Sequence, residues 1–289
     1  MKIRNVLNLF DGISCGRVAL DRIGISYENY YASEIDKYAI QIAQSNFPDT
    51  IQLGDVKNWR EWNLPQIDLL MGGSPCQGFS ITGKQLNFED PRSKLFFEFV
   101  DILNYYKPKY FLLENVRMKQ EYQDIISDYL GVQPIKINSS LVSAQNRNRL
   151  YWTNIPNISQ PLDKDIILKD VLEDDNSLEN FINYFDIMKP VNSKSNRVGI
   201  IGKGGQGDRI YTTDKKSVTL MAESGGRGAK TGLYLTGENT VRMLMPNECE
   251  RLQNLPDNYT EGVSKAQRYK MLGNGWTVDV ITHILSNIK

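Results

Sequence analysis

The fold is decided by residues 3–23, which read IRNVLNLFDGISCGRVALDRI. Ile3–Phe10 has the apolar content of a buried strand, and Cys15–Ile23 follows a helical pattern. The small residues of Phe10–Gly16 predict a tight turn, which lets a ligand approach the backbone at a helix N-terminus, where nucleotide-like cofactors bind. A strand-to-helix turn that binds nothing would have a similar composition, because glycine turns are common. The stretch therefore predicts strand, turn and helix, with ligand binding as one of two interpretations.

The following residues continue this alternation, which is typical of βαβ units and a parallel sheet. Further strands are predicted at Tyr30–Ser33, Ile51–Leu53, Ile67–Met71 and Tyr110–Leu113 and, near an edge, at Ile135–Val142 and Arg149–Trp152. Helices are predicted at Lys37–Asn46, Ser93–Lys107 and Gln120–Leu130, with a helical pattern again from Pro246 and a terminal helix over Trp276–Ile288. The predicted fold class is α/β with a mostly parallel sheet.

The composition is that of an ordinary globular protein. The 289 residues are 40% hydrophobic and 24% charged, which excludes a disordered, fibrous or disulfide-scaffold protein. Three widely spaced cysteines suit a reducing compartment. The start has too short an apolar run for a signal peptide, and no apolar stretch of about 18 residues occurs. We therefore expect a cytoplasmic protein, and its single His argues against zinc sites and Ser/His/Asp triads.

The net charge of zero conceals two opposed blocks. A total of 34 Lys and Arg against 34 Asp and Glu argues by itself against a bulk electrostatic binder of nucleic acid. Residues 163–186 have a net charge of −6, however, and residues 189–230 have a net charge of +6. Ten of the 22 glycines lie between Gly199 and Gly237. From about Asn154 we therefore expect a smaller, loop-rich lobe with a basic part suited to phosphates.

Two carboxylates follow predicted strands. Glu34 comes 22 residues after Gly12, and an acidic residue at about this spacing accepts hydrogen bonds from ribose hydroxyls. Asp55 follows the third strand in the same way. Either could be a solvated carboxylate, but together with the glycine turn they predict a nucleotide-like cofactor site at successive strand ends.

Two glycine-rich segments match phosphate-binding motifs but lack their context. Residues 202–207 match G-x-G-x-x-G, but the sequence after them predicts a strand and a turn rather than the required helix. Residues 78–85 nearly match a P-loop, but Gln85 stands where Ser or Thr must bind magnesium. Neither segment predicts a nucleotide-binding loop.

A thiol and a carboxylate are predicted at the ends of two later strands. Cys76 lies in the loop of residues 74–80, SPCQGFS, after the strand that ends at Met71, and Glu114 ends the next strand. If these strands are adjacent, Glu114 lies near Cys76. A free Cys is usually a small buried hydrophobe, whereas a nucleophilic Cys needs its thiolate form. Without a His the pair does not resemble a protease dyad, and the lack of Cys-x-x-Cys counts against a dithiol oxidoreductase.

Eight short motifs occur in order along the chain. They are Phe10-x-Gly12, Glu34-x-Asp36, Gly54-Asp55, Pro75-Cys76-Gln77, Glu114-Asn115-Val116, Gln145-x-Arg147-x-Arg149, Arg242-x-Leu-x-Pro246-x-Glu248-x-x-Arg251-Leu-Gln253 and Gly273-Asn274. This series, over about residues 6–284, resembles the DNA (cytosine-5)-methyltransferases, and most closely their compact, single-module members. The resemblance implies a Rossmann-like, S-adenosylmethionine-dependent methyltransferase fold in a bacterial or phage-encoded enzyme. One departure is Gly-Ile-Ser-Cys at residues 12–15, where Gly-x-Gly-Gly is commoner.

The resemblance also implies the site residues. Those that would hold S-adenosylmethionine, whose product is S-adenosylhomocysteine, are Phe10, Gly12, Ile13, Glu34, Asp55, Val56, Pro75 and Asn274. Cys76 would attack C6 of a flipped-out cytosine, and Glu114 would hydrogen-bond its N3 and exocyclic amine. Arg147 and Arg149 would position the base and its phosphate. Further substrate-binding candidates are Gln77, Ser80, Asn115 and Gln145. No metal is implied.

The same resemblance divides the chain. Residues 1–153 and 266–289 would form the catalytic domain, and residues 154–265 a smaller target-recognition domain. The basic residues that could follow phosphates there, unless they belong to a merely solvated loop set, are Lys203, Arg209, Lys215, Lys216, Arg227 and Lys230. The expected partner is double-stranded DNA, the presence of a restriction endonuclease of the same system is left open, and the chain is expected to be monomeric. The alternatives are the same chemistry on RNA, such as tRNA, and a catalytically silent DNA-binding relative.

Overall fold

The first strand and helix form where the sequence predicts them. In the computed structural model, β1 spans Asn5–Leu9 with every side chain buried, and α1 spans Cys15–Arg22. The structure describes residues 3–74, 94–177, 181–192, 195–222, 227 and 231–288.

The next elements alternate between strand and helix. The strands are β2 (Asn29–Ser33), β3 (Ile51–Gln52), β4 (Leu69–Gly72), β5 (Tyr110–Val116), β6 (Ile135–Asn138) and β7 (Asn148–Thr153). The helices are α2 (Lys37–Asn46), α3 (Lys94–Tyr106) and α4 (Gln120–Leu130), and a 3-10 helix, Val56–Glu61, follows β3. α2 begins where expected because the Asp36 carboxylate accepts the backbone N–H of Tyr38 at 3.0 Å, which caps the helix.

Over the described residues, these seven strands form one sheet in the order β3-β2-β1-β4-β5-β7-β6. β1 to β5 run parallel, and β7 pairs antiparallel with both β5 and β6. β6 lies at the edge, as predicted for this part of the sheet. The order of the strands reverses between β1 and β4, and open α/β sheets bind ligands at the carboxyl ends of the strands beside such a reversal. The predicted α/β fold with a mostly parallel sheet is confirmed.

Both faces of this sheet are buried, and a hydrophobic cluster packs against one of them. Leu7, Leu9 and Leu70 from the strands belong to the same buried cluster as Phe96 and Phe99 of α3. Strands buried on both faces contain near-continuous apolar runs, which is why the sequence made them recognisable. Within the described residues, none of the helices has the length and apolar character needed to cross a membrane.

Among the boundaries that differ from the prediction, two have a clear cause. The strand expected over Ile135–Val142 ends at Asn138. Ser139–Leu141 forms a 3-10 helix because the Ser139 carbonyl accepts the backbone N–H groups of Val142 at 3.0 Å and Ser143 at 2.8 Å. The last helix, expected over Trp276–Ile288, is α7 (Val278–Leu285). Its start is set by Gln253, whose carbonyl accepts the Val278 N–H at 2.9 Å.

The second part of the chain forms a smaller antiparallel and parallel sheet. Its strands are β8 (Lys189–Pro190), β9 (Arg197–Ile200), β10 (Arg209–Thr212), β11 (Leu233–Gly237) and β12 (Thr240–Arg242), in the order β12-β11-β10-β9-β8. α5 (Pro246–Leu252) and α6 (Lys265–Asn274) follow. Because β10 comes shortly after residues 202–207, the helix that a dinucleotide-binding G-x-G-x-x-G requires is absent from this described segment, as the sequence indicated.

The chain divides into two compact units. The first unit contains residues 1–138, 148–160 and 280–289, and the second contains residues 139–147 and 161–279. The second unit therefore reaches beyond the segment 154–265 that the resemblance suggests for target recognition. The functional division of the chain stays a prediction.

Candidate active site

The predicted cofactor residues of the first unit lie at the carboxyl ends of adjacent strands. The turn that carries Phe10, Gly12 and Ile13 follows β1, Glu34 follows β2, and Asp55 follows β3. β2 and β3 are neighbours on one side of β1, and β4 lies on its other side. The parallel strands therefore bring these residues to the same edge of the sheet, beside the reversal of strand order.

The turn after β1 has a strained backbone. Phe10, Gly12 and Ser14 all have left-handed φ angles, of 57°, 59° and 61°. Glycine adopts this conformation freely, whereas it costs an L-residue such as Phe or Ser about 1–2 kcal/mol. The turn is closed by the Ser14 N–H, which donates to the Asp11 carbonyl at 3.1 Å. Two further N–H groups tie it to the end of β2: that of Asp11 donates to the Ser33 carbonyl at 3.1 Å, and that of Gly12 donates to Oε2 of Glu34 at 2.8 Å.

Glu34 organises its own strand end as well. Its Oε1 accepts the backbone N–H groups of Ile35 at 2.7 Å and Asp36 at 2.9 Å. With the bond from Gly12, three of the roughly four acceptor positions of the carboxylate are used. The carboxylate is thus held in one orientation and retains capacity for a further donor.

Asp55 lies on the neighbouring turn. Its side chain accepts the Lys57 N–H at 3.0 Å and caps the 3-10 helix that begins at Val56. The Ser33 hydroxyl donates to the Gly54 carbonyl at 2.7 Å and joins this turn to the end of β2. Val56 is buried in the core, as is Ile13, whereas Phe10 is half-buried.

Asp11 is the residue of this edge that sequence reasoning missed. Its carboxylate is buried and accepts hydrogen bonds from Asn8 Nδ2 at 2.5 Å, from the Tyr30 hydroxyl at 2.8 Å and from the Ser14 hydroxyl. Burial raises the pKa of Asp11 to about 6, although the three hydrogen bonds oppose the shift. The negative charge of Glu34 adds to the rise. The sequence showed only an acidic residue directly after a buried strand. The groups that donate hydrogen bonds to its carboxylate belong to separate elements.

Glu114 lies in β5, which is separated from β1 by β4 in the sheet. β4 and β5 are adjacent and parallel, with Gly72 opposite Leu113, which confirms the predicted adjacency of the two strands. The side chains of Glu114 and Arg149 are largely buried, and Oε1 of Glu114 is 2.9 Å from Nε of Arg149. Arg149 reaches this position because β7 pairs with β5 on its other side. The guanidinium thus fixes the carboxylate at the carboxyl end of β5.

The end of β4 is tied to β5 by Asn115. Its buried amide donates to the Ser74 hydroxyl at 3.2 Å, and its Oδ1 accepts the Val116 N–H at 2.8 Å. Ser74 is the last described residue before the predicted nucleophile loop. The predicted site residues Pro75, Cys76, Gln77 and Ser80 lie outside the described residues.

The remaining predicted residues belong to the second unit. Arg147 is buried and donates to the carbonyls of Leu220 at 3.0 Å and of Gly273 and Gly275 at 2.9 Å each. It therefore braces the segment that contains Asn274, whose side chain is exposed. Gly273 fits only as glycine, since a Cβ there would lie 2.3 Å from backbone atoms of Met221 and Ala222.

Gln145 is also buried within the second unit. Its amide nitrogen donates to the Leu252 carbonyl at 2.7 Å and to Oε1 of Gln253 at 3.0 Å. Its oxygen accepts the Leu220 N–H at 3.4 Å. These contacts favour a positioning role for Gln145 and Arg147, and direct substrate contact by either stays a prediction.

The basic residues of the second unit differ in their surroundings. Lys203 and Lys215 are exposed, and Arg209 is half-buried in β10. Lys216 lies 3.7 Å from Asp163, and Arg227 pairs with Asp208 at 2.8 Å. Lys230 lies outside the described residues.

The first unit combines a mostly parallel α/β sheet with a strained glycine turn and acidic residues at successive strand ends. A fixed carboxylate lies at the same edge. This combination is typical of enzymes that use a nucleotide-like cofactor. The family model described as C-5 cytosine-specific DNA methylase matches residues 4–289, and the chain belongs to this family. It is therefore a DNA (cytosine-5)-methyltransferase, an enzyme that transfers a methyl group to C5 of cytosine in DNA. The resemblance seen in the eight motifs is confirmed.

Individual relatives agree with this membership. The type II methyltransferase M.HhaI of Haemophilus parahaemolyticus is 35% identical, over 98% of this chain and 93% of that protein. The type II methyltransferase M1.ScrFI of Lactococcus lactis subsp. cremoris is 31% identical, over 96% of this chain and 75% of that protein. The match thus extends over the whole chain rather than over one domain.

Solved structures show the same fold. The Entamoeba histolytica methyltransferase EhMeth superimposes with a TM-score of 0.77 at 22% identity, covering 99% of this chain and 98% of that one. The S. pombe Dnmt2 methyltransferase gives a TM-score of 0.72 at 18% identity, covering 98% of this chain and 97% of that one. At these identities the likeness concerns the fold alone.

Proposed function

We propose that this chain methylates a flipped-out cytosine within a specific sequence of double-stranded DNA, through a covalent bond between Cys76 and C6. The supporting observation is the Glu114–Arg149 pair at the end of β5, next to the end of β4 from which the segment with Cys76 continues. A carboxylate fixed beside the start of a nucleophile loop suits the stabilisation of charge on a base while the thiolate adds to it.

The proposed reaction adds the Cys76 thiolate to the ring and later releases it. The thiolate of Cys76 forms a bond to C6, and the displaced ring electrons make C5 nucleophilic. As the thiolate adds, the carboxyl group of Glu114 gives N3 a proton, and its carboxylate then accepts the N–H of the exocyclic amine, so that no negative charge remains on the ring. After C5 has gained the methyl group, water takes the C5 proton, the C6–S bond breaks to release Cys76 as its thiolate, and N3 returns its proton to Glu114, which restores the aromatic ring. Because C5 and C6 are stacked inside a duplex, the base has to leave the helix, at a cost of a few kcal/mol.

The first unit offers a fitting site for S-adenosylmethionine. When bound, this cofactor supplies a methyl group on a positively charged sulfur. The Glu34 carboxylate is oriented by three backbone N–H groups and suits a ribose hydroxyl, and Asp55 at the adjacent strand end suits the adenine edge. The left-handed turn at Gly12 exposes backbone to a ligand without a side chain in the way. Phe10, half-buried beside the turn, suits ring stacking.

The second unit is proposed to read the DNA. Its exposed Lys203 and Lys215 suit contacts with phosphates, which position a protein on a duplex without reading its sequence. Arg147 and Gln145 are proposed to support this role by bracing residues 220 and 273–275. A partner restriction endonuclease and a monomeric state stay predictions, the former in keeping with the type II names of the relatives.

The test supplies methyl-labelled S-adenosylmethionine with duplex DNA and with tRNA, using the wild type and Cys76→Ala. We expect the wild type to label cytosine in DNA and not tRNA. Cys76→Ala should label neither while still binding the cofactor in equilibrium dialysis. Full activity of Cys76→Ala would overturn the covalent mechanism, and labelling of tRNA in place of DNA would overturn the proposed substrate.

A further inference from the structure

We propose that Asp11 is a positioning residue for the cofactor site, whose buried carboxylate holds the turn of residues 10–14 in the conformation that binds S-adenosylmethionine. The proposal rests on the function proposed above for this turn. It assigns a role to a residue that the eight motifs leave unassigned, since only Phe10 and Gly12 of the first motif were given one.

The contacts of Asp11 join the turn to the elements on either side of it. Oδ1 accepts from Asn8 Nδ2 of β1 at 2.5 Å and from the Tyr30 hydroxyl of β2 at 2.8 Å. Oδ2 accepts from the hydroxyl of Ser14, the residue directly before α1. One carboxylate thus connects two strands and the start of a helix.

Ser14 shows that this connection shapes the backbone. A Ser before a helix usually accepts a backbone N–H of the first turn with its hydroxyl, but the Ser14 side chain makes no such capping bond and donates to Asp11 instead. Its φ of 61° is left-handed, a conformation that glycine adopts freely and Ser does not. The bond to Asp11 therefore helps to hold a conformation that Ser would otherwise avoid.

The carboxylate makes these three bonds best in its ionised form, because all three partners act as donors. The charged and titratable groups around it are Glu34 at the end of β2, Tyr30 and Tyr27, and Arg17 of α1, which stacks on the Tyr30 ring at 5.2 Å and pairs with Asp49. Of these groups, Tyr30 donates a hydrogen bond to Asp11 from its neutral hydroxyl. The described hydrogen-bond partners of Asp11 are all neutral groups. A proton on Asp11 would displace one donor and loosen the turn.

The test measures S-adenosylmethionine binding by titration calorimetry and steady-state kinetics with DNA. For Asp11→Ala we expect cofactor affinity to fall about tenfold or more, and kcat at saturating cofactor to stay within about threefold of the wild type. Asp11→Asn should recover most of the affinity at neutral pH, since its oxygen can accept from Asn8 and Tyr30 and its amide can donate to the Ser14 hydroxyl.

The pH profile adds a readout that general loosening of the fold would not change. Wild-type affinity should fall as the pH is lowered through about 6, because Asp11 then takes up a proton. Asp11→Asn should lack this transition. If Asp11→Ala does not fold, the pH profiles of cofactor affinity of the wild type and Asp11→Asn test the proposal by themselves. Identical profiles would overturn it.

Asp68→Ala is the matched control. Its carboxylate accepts the N–H groups of Arg4 at 2.8 Å and Asn5 at 2.9 Å, at the opposite end of β1 from the turn. We expect lower stability and wild-type cofactor affinity for this variant. Equal affinities of Asp11→Ala and the wild type would overturn the role of Asp11 alone, whereas a wild type that binds no S-adenosylmethionine would overturn the proposed function itself.

Discussion

Each unit of the molecule buries a polar cluster, and the two clusters differ in how their charges are compensated. In the first unit, the turn cluster of Asn8, Asp11, Ser14 and Tyr30 surrounds one carboxylate with neutral donors. In the second unit, the Arg242 cluster consists of one guanidinium and two carboxylates. Arg242 donates to Glu248 at 2.8 and 2.9 Å and to Asp175 at 2.6 Å.

This difference indicates what each cluster is for. Arg242 and Glu248 are fully buried, but each charge faces an opposite one, and Glu248 also accepts the N–H of Met245 at 2.6 Å at the start of α5. Such a pair specifies the packing of its unit. Among the described residues, the hydrogen-bond partners of the Asp11 carboxylate are neutral rather than cationic, and burial raises its pKa. A buried group with a perturbed pKa beside a strained turn is typical of a functional site.

The largest expected effect comes from breaking the Arg242 cluster. Arg242→Met leaves the buried carboxylate of Glu248 and the partly exposed carboxylate of Asp175 without their cation, which should lower the free energy of unfolding by about 3–5 kcal/mol. Urea denaturation measures the loss. The double variant Arg242→Met with Glu248→Gln should be more stable than Arg242→Met alone, because one uncompensated charge is gone. A loss below about 1 kcal/mol in the single variant would contradict the structural role of the cluster.

The next effect concerns catalysis in the first unit. Glu114→Gln should lower kcat about 10²–10³-fold while cofactor affinity stays unchanged, because Gln can hydrogen-bond the base but cannot give N3 a proton. Single-turnover methylation of duplex DNA measures this loss. Glu121→Gln, at an exposed carboxylate of α4, is the control and should keep full activity. A Glu114→Gln enzyme with wild-type kcat would remove Glu114 from the mechanism.

Asp11 should show the cost of an uncompensated buried charge. Because its folded-state pKa is raised from 3.8 to about 6, its contribution to stability is complete below pH 3.8 and is lost as the pH rises through 6. The difference in unfolding free energy between Asp11→Asn and the wild type should therefore move in favour of the variant by about 2 kcal/mol between pH 4 and pH 8. Urea denaturation across this range tests it, and a pH-independent difference would contradict the buried ionised form.

The smallest effect is expected at an exposed pair of the second unit. Arg251 and Asp257 lie 2.5 Å apart, but their side chains are 30% and 44% exposed. Asp257→Asn should change the free energy of unfolding by no more than about 1 kcal/mol, because water screens and competes for exposed charges. The same urea assay measures it beside Arg242→Met. A loss as large as that of Arg242→Met would show that burial does not explain the contrast between the pairs.

Much of the first unit could be predicted from the sequence because its signals are local. α2 and α4 have the predicted bounds, and the strands with near-continuous apolar runs occur where expected. The placement of Glu34 and Asp55 followed from strand ends and spacing alone. These features depend on periodicity and on residues close together in the chain.

The rest depended on contacts between distant residues. The donors to Asp11 include Tyr30, 19 positions away, and Arg147 braces carbonyls 73 to 128 positions away. No pattern within one segment specifies such distant partners. The sequence therefore predicted Arg147 as a site residue but not the carbonyls to which it donates. A local turn was also not recognised: the strand expected over Ile135–Val142 was wrong beyond Asn138, because the Ser139 carbonyl accepts the N–H groups of Val142 and Ser143 and closes a 3-10 helix.

The most direct test of the central claim, that Cys76 works beside Glu114 at these strand ends, is covalent trapping. Duplex DNA containing 5-fluorocytosine in the methylated sequence is incubated with the enzyme and S-adenosylmethionine, and the mixture is separated by denaturing electrophoresis. Fluorine at C5 cannot leave as a proton does, so the account predicts a stable protein–DNA adduct with the wild type and none with Cys76→Ala. Absence of the adduct with active wild-type enzyme, or its formation by Cys76→Ala, would contradict the account.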